Sequence, residues 1–179
     1  MKSPWMIRLL LFVTVLIAAP SVYGQAEVTQ EKTRQRLSAL LERVGPDINV
    51  VFKPSSKSQF IFSGLMREGL ANAEALEIIV TATEDQTIRF RVFPKYKGGY
   101  INIDKAKNSS QLLRKLVQLN STTFLFWGAD NDGDVFTGYT FTLESGFPDE
   151  ALKIVLSSIK NSDKFVGEMK PSIDGAGTP

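Results

Sequence analysis

Asp130, Asp132 and Asp134 alternate with Asn131 and Gly133, the spacing that oxygen ligands adopt when a short loop wraps a calcium ion. An EF-hand loop, however, needs glycine at position six and a carboxylate at position twelve. Counting from Asp130, Gly133 is at position four and position twelve is Phe141. The pattern reads as a solvated hairpin turn whose glycine supplies a positive φ, and no metal is expected there.

A pair of carboxylates could also do general acid and base work. Candidates are Glu77, Glu84, Asp85, Asp104, Glu144, Asp149 and Glu150. A general acid at neutral pH needs its pKa raised by roughly 2–3 units, about 3–4 kcal/mol of burial or like-charge repulsion. Each of these acids falls in a predicted turn, at a helix start or on the wet side of a strand, where nothing supplies that. The chain has no histidine and no cysteine, which removes the side chain that titrates near pH 7 unaided, thiolate nucleophiles and thiolate metal sites. The reading is therefore a protein that is not an enzyme and takes no cofactor. Carboxylate-based hydrolysis ranks third among its functions.

Recognition chemistry is better represented. Arg89, Arg91, Lys95 and Lys97 form a cationic strip with Phe93, Tyr96 and Tyr100 close by. Such interleaving can hold a nucleic acid, but alternation gives a simpler account: Ile88, Phe90 and Val92 face a core and the arginines face water. The strip would then suit an acidic partner, and no nucleic acid is expected. Trp127 and Phe136 oppose the rows built on Phe124/Phe126 and on Val135/Tyr139/Phe141. Either helices cover both faces, or an aromatic patch is left for a partner or a second copy of the chain. The partner-binding candidates are Arg89, Arg91, Trp127 and Phe136.

The elements that must position these residues follow from hydrophobic period. Leu37, Leu40, Leu41 and Val44 mark one face of a helix that Gly45-Pro46 ends, with glycine taking the left-handed position. Two short runs, 48–53 and 59–62, read as strands, and 65–73 as a loop or a single helical turn. Leu76, Ile78, Val80 and Ala82 share one face of a strand, which returns through Ile88, Phe90 and Val92, and a third strand spans 99–103. Asn108, with Gln111 three residues on, opens a second helix whose stripe is Leu112, Leu113, Leu116 and Val117, and Asn120 closes it. Asn108-Ser109-Ser110 and Asn120-Ser121-Thr122 match the glycosylation acceptor but read as helix caps. A hairpin (123–128 and 134–143) and a third helix (148–160, with Pro148 at its first position) complete the chain. Phe165 and Val166 extend that helix, before a Gly-, Pro- and Ser-rich tail with little to fold around.

Strands that succeed one another without intervening helices predict an α+β fold, an antiparallel sheet meander with covering helices. Within 179 residues the expected divisions are a signal peptide at 1–24, a flexible segment at 25–30, one domain at 31–167 and a flexible tail at 168–179. The signal reading rests on order: a cationic start, an apolar run from Leu9 to Ala19, and a small-residue exit at Gly24. That run is roughly 16 Å long as a helix, short of the about 30 Å of a bilayer core, so no stable membrane span is expected after cleavage. The chain carries 21 basic and 19 acidic residues. Two of the basic ones, Lys2 and Arg8, lie in the leader, which holds no acid, so the mature chain is neutral. Localisation is expected to be periplasmic or secreted.

The succession helix, three-strand meander, helix, hairpin, helix resembles the type III secretion chaperone-like fold. Within it, Phe124 through Trp127, the Asp130–Asp134 turn, Leu143-Glu144-Ser145-Gly146 and the helix opening Pro148-Asp149-Glu150-Ala151-Leu152 resemble the YbjN family of bacterial proteins assigned to sensory transduction. The resemblance covers residues 30–165 and implies a small, non-enzymatic domain that dimerises. The chain departs from it in its signal peptide and in the apolar runs at 48–63, which speaks against intracellular signalling. The function expected is an exported protein-binding, chaperone-like or regulatory domain acting through an apolar surface, as a monomer or a homodimer. A periplasmic small-ligand or lipid-binding protein, with a pocket between sheet and helices, is the alternative.

Overall fold

The computed structural model describes residues 22–175, with side chains from Thr29 onward. The expected signal peptide lies outside the described residues up to Ser21. The first helix, α1, runs Val22–Val44, so the segment 25–30, expected loose, is helical. Leu37, Leu40, Leu41 and Val44 are buried as their spacing predicts. Beyond Val44 the chain tightens into a 3-10 turn, Gly45–Ile48, and the left-handed residue is Asn49, φ 54°, not Gly45. Gly45 is needed for space, since a Cβ there would lie 2.4 Å from the Val50 carbonyl oxygen.

Seven strands then build one antiparallel sheet: β1 Lys53–Ser55, β2 Ser58–Met66, β3 Ala75–Ala82, β4 Thr87–Tyr96, β5 Gly99–Tyr100, β6 Phe126–Ala129 and β7 Val135–Thr142. Their spatial order is β1-β2-β3-β4-β7-β6, with β5 paired to the end of β4. The fold is thus α+β with an antiparallel sheet, as the sequence predicts. The run at 48–53 is mostly not strand: Val50 packs beneath β2 at Gly64, whose missing Cβ makes room for it. The meander's third strand shrinks to two residues, and Asn102 makes a single bridge to Asp134.

Helix α2 (Ser109–Asn120) is capped by Asn108, whose Oδ1 accepts from the Gln111 amide at 3.1 Å. The Asn108 amide itself donates to the Ser172 carbonyl, so Gln111 meets the Asn108 side chain rather than closing a capping box. The buried stripe is Leu112, Leu116 and Leu119, while Leu113 and Val117 are exposed. Helix α3 (Asp149–Ser158) starts one residue after Pro148 and buries Leu152, Val155 and Leu156. A 3-10 turn, Ile159–Asn161, redirects the chain into α4, Ser162–Asp174. The stretch from 168 onward is therefore packed as far as α4 runs: Met169 and Ser172 are buried, and residues 176–179 lie outside the described residues.

The buried core draws on α1, α2, α3 and α4 together with one face of the sheet. That face carries Phe62, Ile78, Val80, Ile88, Phe90, Val92 and Val135, each nearly or completely buried. At roughly 1.5–3 kcal/mol per large apolar side chain, such a row dominates the folding free energy. Among the described residues no helix packs against the opposite face of the sheet, an arrangement antiparallel sheets tolerate.

β6 forms one end of the sheet, and Asn120 closes its outer edge. The Trp127 amide donates to Asn120 Oδ1 at 2.5 Å, and Asn120 Nδ2 donates to the Trp127 carbonyl at 3.1 Å. One side-chain amide thus takes both groups that an incoming strand would use. Asn120→Ala is expected to cost about 1 kcal/mol, because water reaches this exposed position. It should also strengthen concentration-dependent association relative to the wild-type chain, read by sedimentation velocity.

Candidate functional site: the uncovered sheet face

Antiparallel register sets who meets whom on the uncovered face. One row across the sheet is Ser63, Ile79, Arg91, Gly138 and Phe126. The next is Ile61, Thr81, Arg89 and Thr140. On the other side of the first lie Leu65, Glu77 and Phe93, with Phe136 against Phe93 at 5.5 Å between ring centroids. Period-two alternation on β4 puts Arg89, Arg91, Phe93 and Lys95 on one side of one strand.

Four aromatic rings cross the face in contact: Tyr100 on Phe93 at 5.7 Å, Phe93 on Phe136, and Phe136 edge-on to Phe126 at 5.7 Å and 88°. Two glycines admit the rings. Gly138 sits under Phe126 and Gly128 under Phe136, with gaps that a Cβ would narrow to 3.0 Å and 3.7 Å. Two cations ride on the ladder: the Arg91 guanidinium 4.6 Å from the Phe136 centroid, and the Lys95 ammonium 4.9 Å from that of Tyr100.

Lys95 is already engaged. Its Nζ is 2.8 Å from Glu77 Oε2, which also accepts from the Tyr100 hydroxyl at 2.6 Å. Burial would raise the Glu77 pKa, but bonds from Lys95 and Tyr100 outweigh it and hold the carboxyl below its usual range. Burial first, and then the bond to Glu77, push the Tyr100 phenol up to about 12. Neither group exchanges a proton near pH 7, so this trio orients and does not catalyse.

The arginines are different. Among the described residues neither Arg89 nor Arg91 has a carboxylate within ion-pair distance. Arg91 Nε is buried with no hydrogen-bond acceptor, and the residue as a whole is half-buried. The carboxyl nearest Arg89 in effect is Asp85, which Arg89 helps hold below its usual range, after the hydroxyls of Thr83 and Thr87.

Three of the four sequence candidates, Arg89, Arg91 and Phe136, therefore meet on one side of the sheet, where the Phe136 ring is 6% exposed beneath Arg91 and between Phe93 and Phe126. Trp127 does not. It pairs with Thr137, whose fully buried side chain points into the core, so the indole is 4% exposed and edge-on to Phe165. The sequence places Tyr100 only beside the cationic strip, Glu77 only among carboxylates and Phe126 only in a strand row, and does not bring them together. Alternation on β4 could have added Phe93, whereas bringing Phe136 onto Arg91 required the long-range pairing of β4 with β7.

The alternative site, a pocket between sheet and helices, has a counterpart in a cleft of about 510 Å³ bordered by Tyr96, Tyr100, Asn102, Lys105, Asp134 and Ile173. Several of its polar groups are committed. Asn102 holds the acidic turn through Asp132 and Asp134, and the Tyr96 hydroxyl donates to Asp174. In that turn Asp130 Oδ1 accepts from the amides of Asp132 and Asp134, so its charge organises backbone.

With that geometry in place, comparison adds a likeness of outline. No protein-family model matches the sequence, and no curated protein does. The crystal structure of YbjN from E. coli, described as a candidate transcription regulator, overlays on 76% of this chain and 90% of that one, with TM-score 0.48 and 13% identity. What the uncovered face does follows from its own residues.

Proposed function

We propose that the chain is an exported, non-catalytic protein-binding domain whose working surface is the uncovered sheet face. The observation that carries this reading is the contiguous ladder Tyr100–Phe93–Phe136–Phe126 with Arg91 stacked on it. Aromatic rings and arginine are the side chains that dominate binding energy at protein interfaces, and here they are held in one orientation by cross-strand contacts. Export is supported by the cationic, apolar, small-residue order of the first 24 residues. Among the described residues no helix is long and apolar enough to cross a membrane.

Photo-crosslinking tests it. A benzophenone side chain at position 126 on the face should capture a partner from the exported fraction, and one at Ile154, 65% exposed on α3, should not. Adducts from 154 alone would move the working surface to the helices and overturn the proposal.

A further inference from the structure

Among the described residues two guanidinium groups on the face have no ion pair, and that selects among occupants. Arg89 and Arg91 stand on one side of β4 two residues apart, so their Cα atoms are about 6.5–7 Å apart. Lys95 is neutralised by Glu77 at 2.8 Å, which leaves the arginines as the positive charge on the central rows. Arg91 stacks on the Phe136 ring with its Nε buried, while the residue as a whole is only half-buried. Such a guanidinium is partly desolvated and fixed in plane before any partner arrives, the state in which an arginine binds a carboxylate bidentately at least cost.

A second copy of the chain fits poorly. A two-fold axis through the centre of the face would set Arg91 of one copy against Arg91 of the other, with like charges across a desolvated contact. An anionic lipid surface gains only about 1 kcal/mol from each basic residue, and two are too few to hold a neutral domain there. An acidic peptide meets both demands, since its carboxylates pair with the arginines and its apolar side chains cover the rings.

We propose, building on the protein-binding reading above, that the face takes an acidic peptide segment. This segment presents two carboxylates about 6–7 Å apart, as at alternate positions of an extended chain, and apolar side chains beside them for Phe126, Phe93 and Ile79. Arg91 is the specificity-determining residue, and Arg89 the second contact.

The probe is a phage-displayed library of random short peptides panned on the purified full-length protein. Selected peptides should be enriched in Asp or Glu two residues apart with neighbouring apolar residues, and their affinity should fall steeply with salt. Arg91→Gln should weaken the best peptide at least about tenfold, as expected for a lost pair at a desolvated arginine. Arg91→Lys should recover only part, and melting temperature should stay unchanged in both. Replacing the peptide's acids by Gln should give the same loss. Neutral or basic peptides whose binding needs Phe126 but not Arg91 would overturn the acidic specificity while leaving the face as a binding surface. Peptides indifferent to Phe126, Arg89 and Arg91 alike would overturn the face itself. Binding to phosphatidylglycerol vesicles that the peptide does not compete, or a dimer that Phe126→Ser dissociates, would also overturn it in favour of a membrane or a second copy.

Discussion

Asp163→Asn is expected to lower the stability of the fold by about 3 kcal/mol, from the loss of a charged acceptor to several buried donors at once. The Asp163 carboxylate, 7% exposed near the start of α4, accepts from the amides of Ala71, Asn72 and Ala73 at 2.7–3.1 Å. Those three amides belong to the connection between β2 and β3, which has no strand or helix to satisfy them. One side chain therefore fixes the path into β3, and with it the register of the uncovered face. An asparagine would turn an NH₂ group toward donors and leave at least one amide without an acceptor. In a domain of this size the melting temperature should fall by about 6–12 °C.

The pH dependence follows from the same bonds. Burial by itself would raise the Asp163 pKa, but the amides of Ala73, Ala71 and Asn72 outweigh it and hold the carboxyl below its usual range. A depressed acid contributes stability that is fully present above its unfolded pKa, about 3.9, and is lost as pH falls through the folded value. Wild type and Asp163→Asn should thus differ most at neutral pH and converge in acid. Melting curves from pH 7 down to about 2 read this directly, and a gap that persists unchanged into acid would contradict it.

Local pattern made most of the elements legible. Four leucines and valines at helical spacing located the packed half of α1, and strict alternation in Leu76–Ala82 and Ile88–Val92 gave β3, β4 and the arginines' side of the sheet. Where the pattern was ambiguous, tertiary contacts decided. In α2 the leucines at 112, 113 and 116 fit two stripes, and packing against α4 and β6 chose the one that ends at Leu119. Helix α4 was hidden by Gly167 and Pro171, both normally breakers. Gly167 is where α4 meets Asn72, since a Cβ there would approach the Asn72 Oδ1 to 2.7 Å. The candidate face was half legible. Arginines two apart on a strand can be read from sequence, but the ring under Arg91 comes from β7, more than forty residues away. No local signal sets that register, and the same register sends Trp127 to the core.

Gly138→Ala tests how tightly that register is fitted. In a strand, alanine for glycine at a compatible site normally stabilises by about 0.4–1 kcal/mol, through the unfolded chain. At Gly138 a Cβ would lie 2.4 Å from the Phe90 carbonyl oxygen and 3.0 Å from Phe126 Cζ. The first neighbour is backbone of the paired strand and cannot rotate away, so the ladder between β4 and β7 must open. The expected loss is about 2–4 kcal/mol, typical of strain forced into a packed site. Gly128→Ala is the control, because its Cβ would meet only the Phe136 ring at 3.7–3.8 Å, an ordinary contact, and should stay within about 0.5 kcal/mol of wild type. Urea denaturation separates the two, and equal stability would show that the sheet yields at Gly138. The functional consequence runs in parallel: Gly138→Ala pushes Phe126 off the ladder and should weaken an acidic peptide, whereas Gly128→Ala leaves Arg91, Phe136 and their order intact.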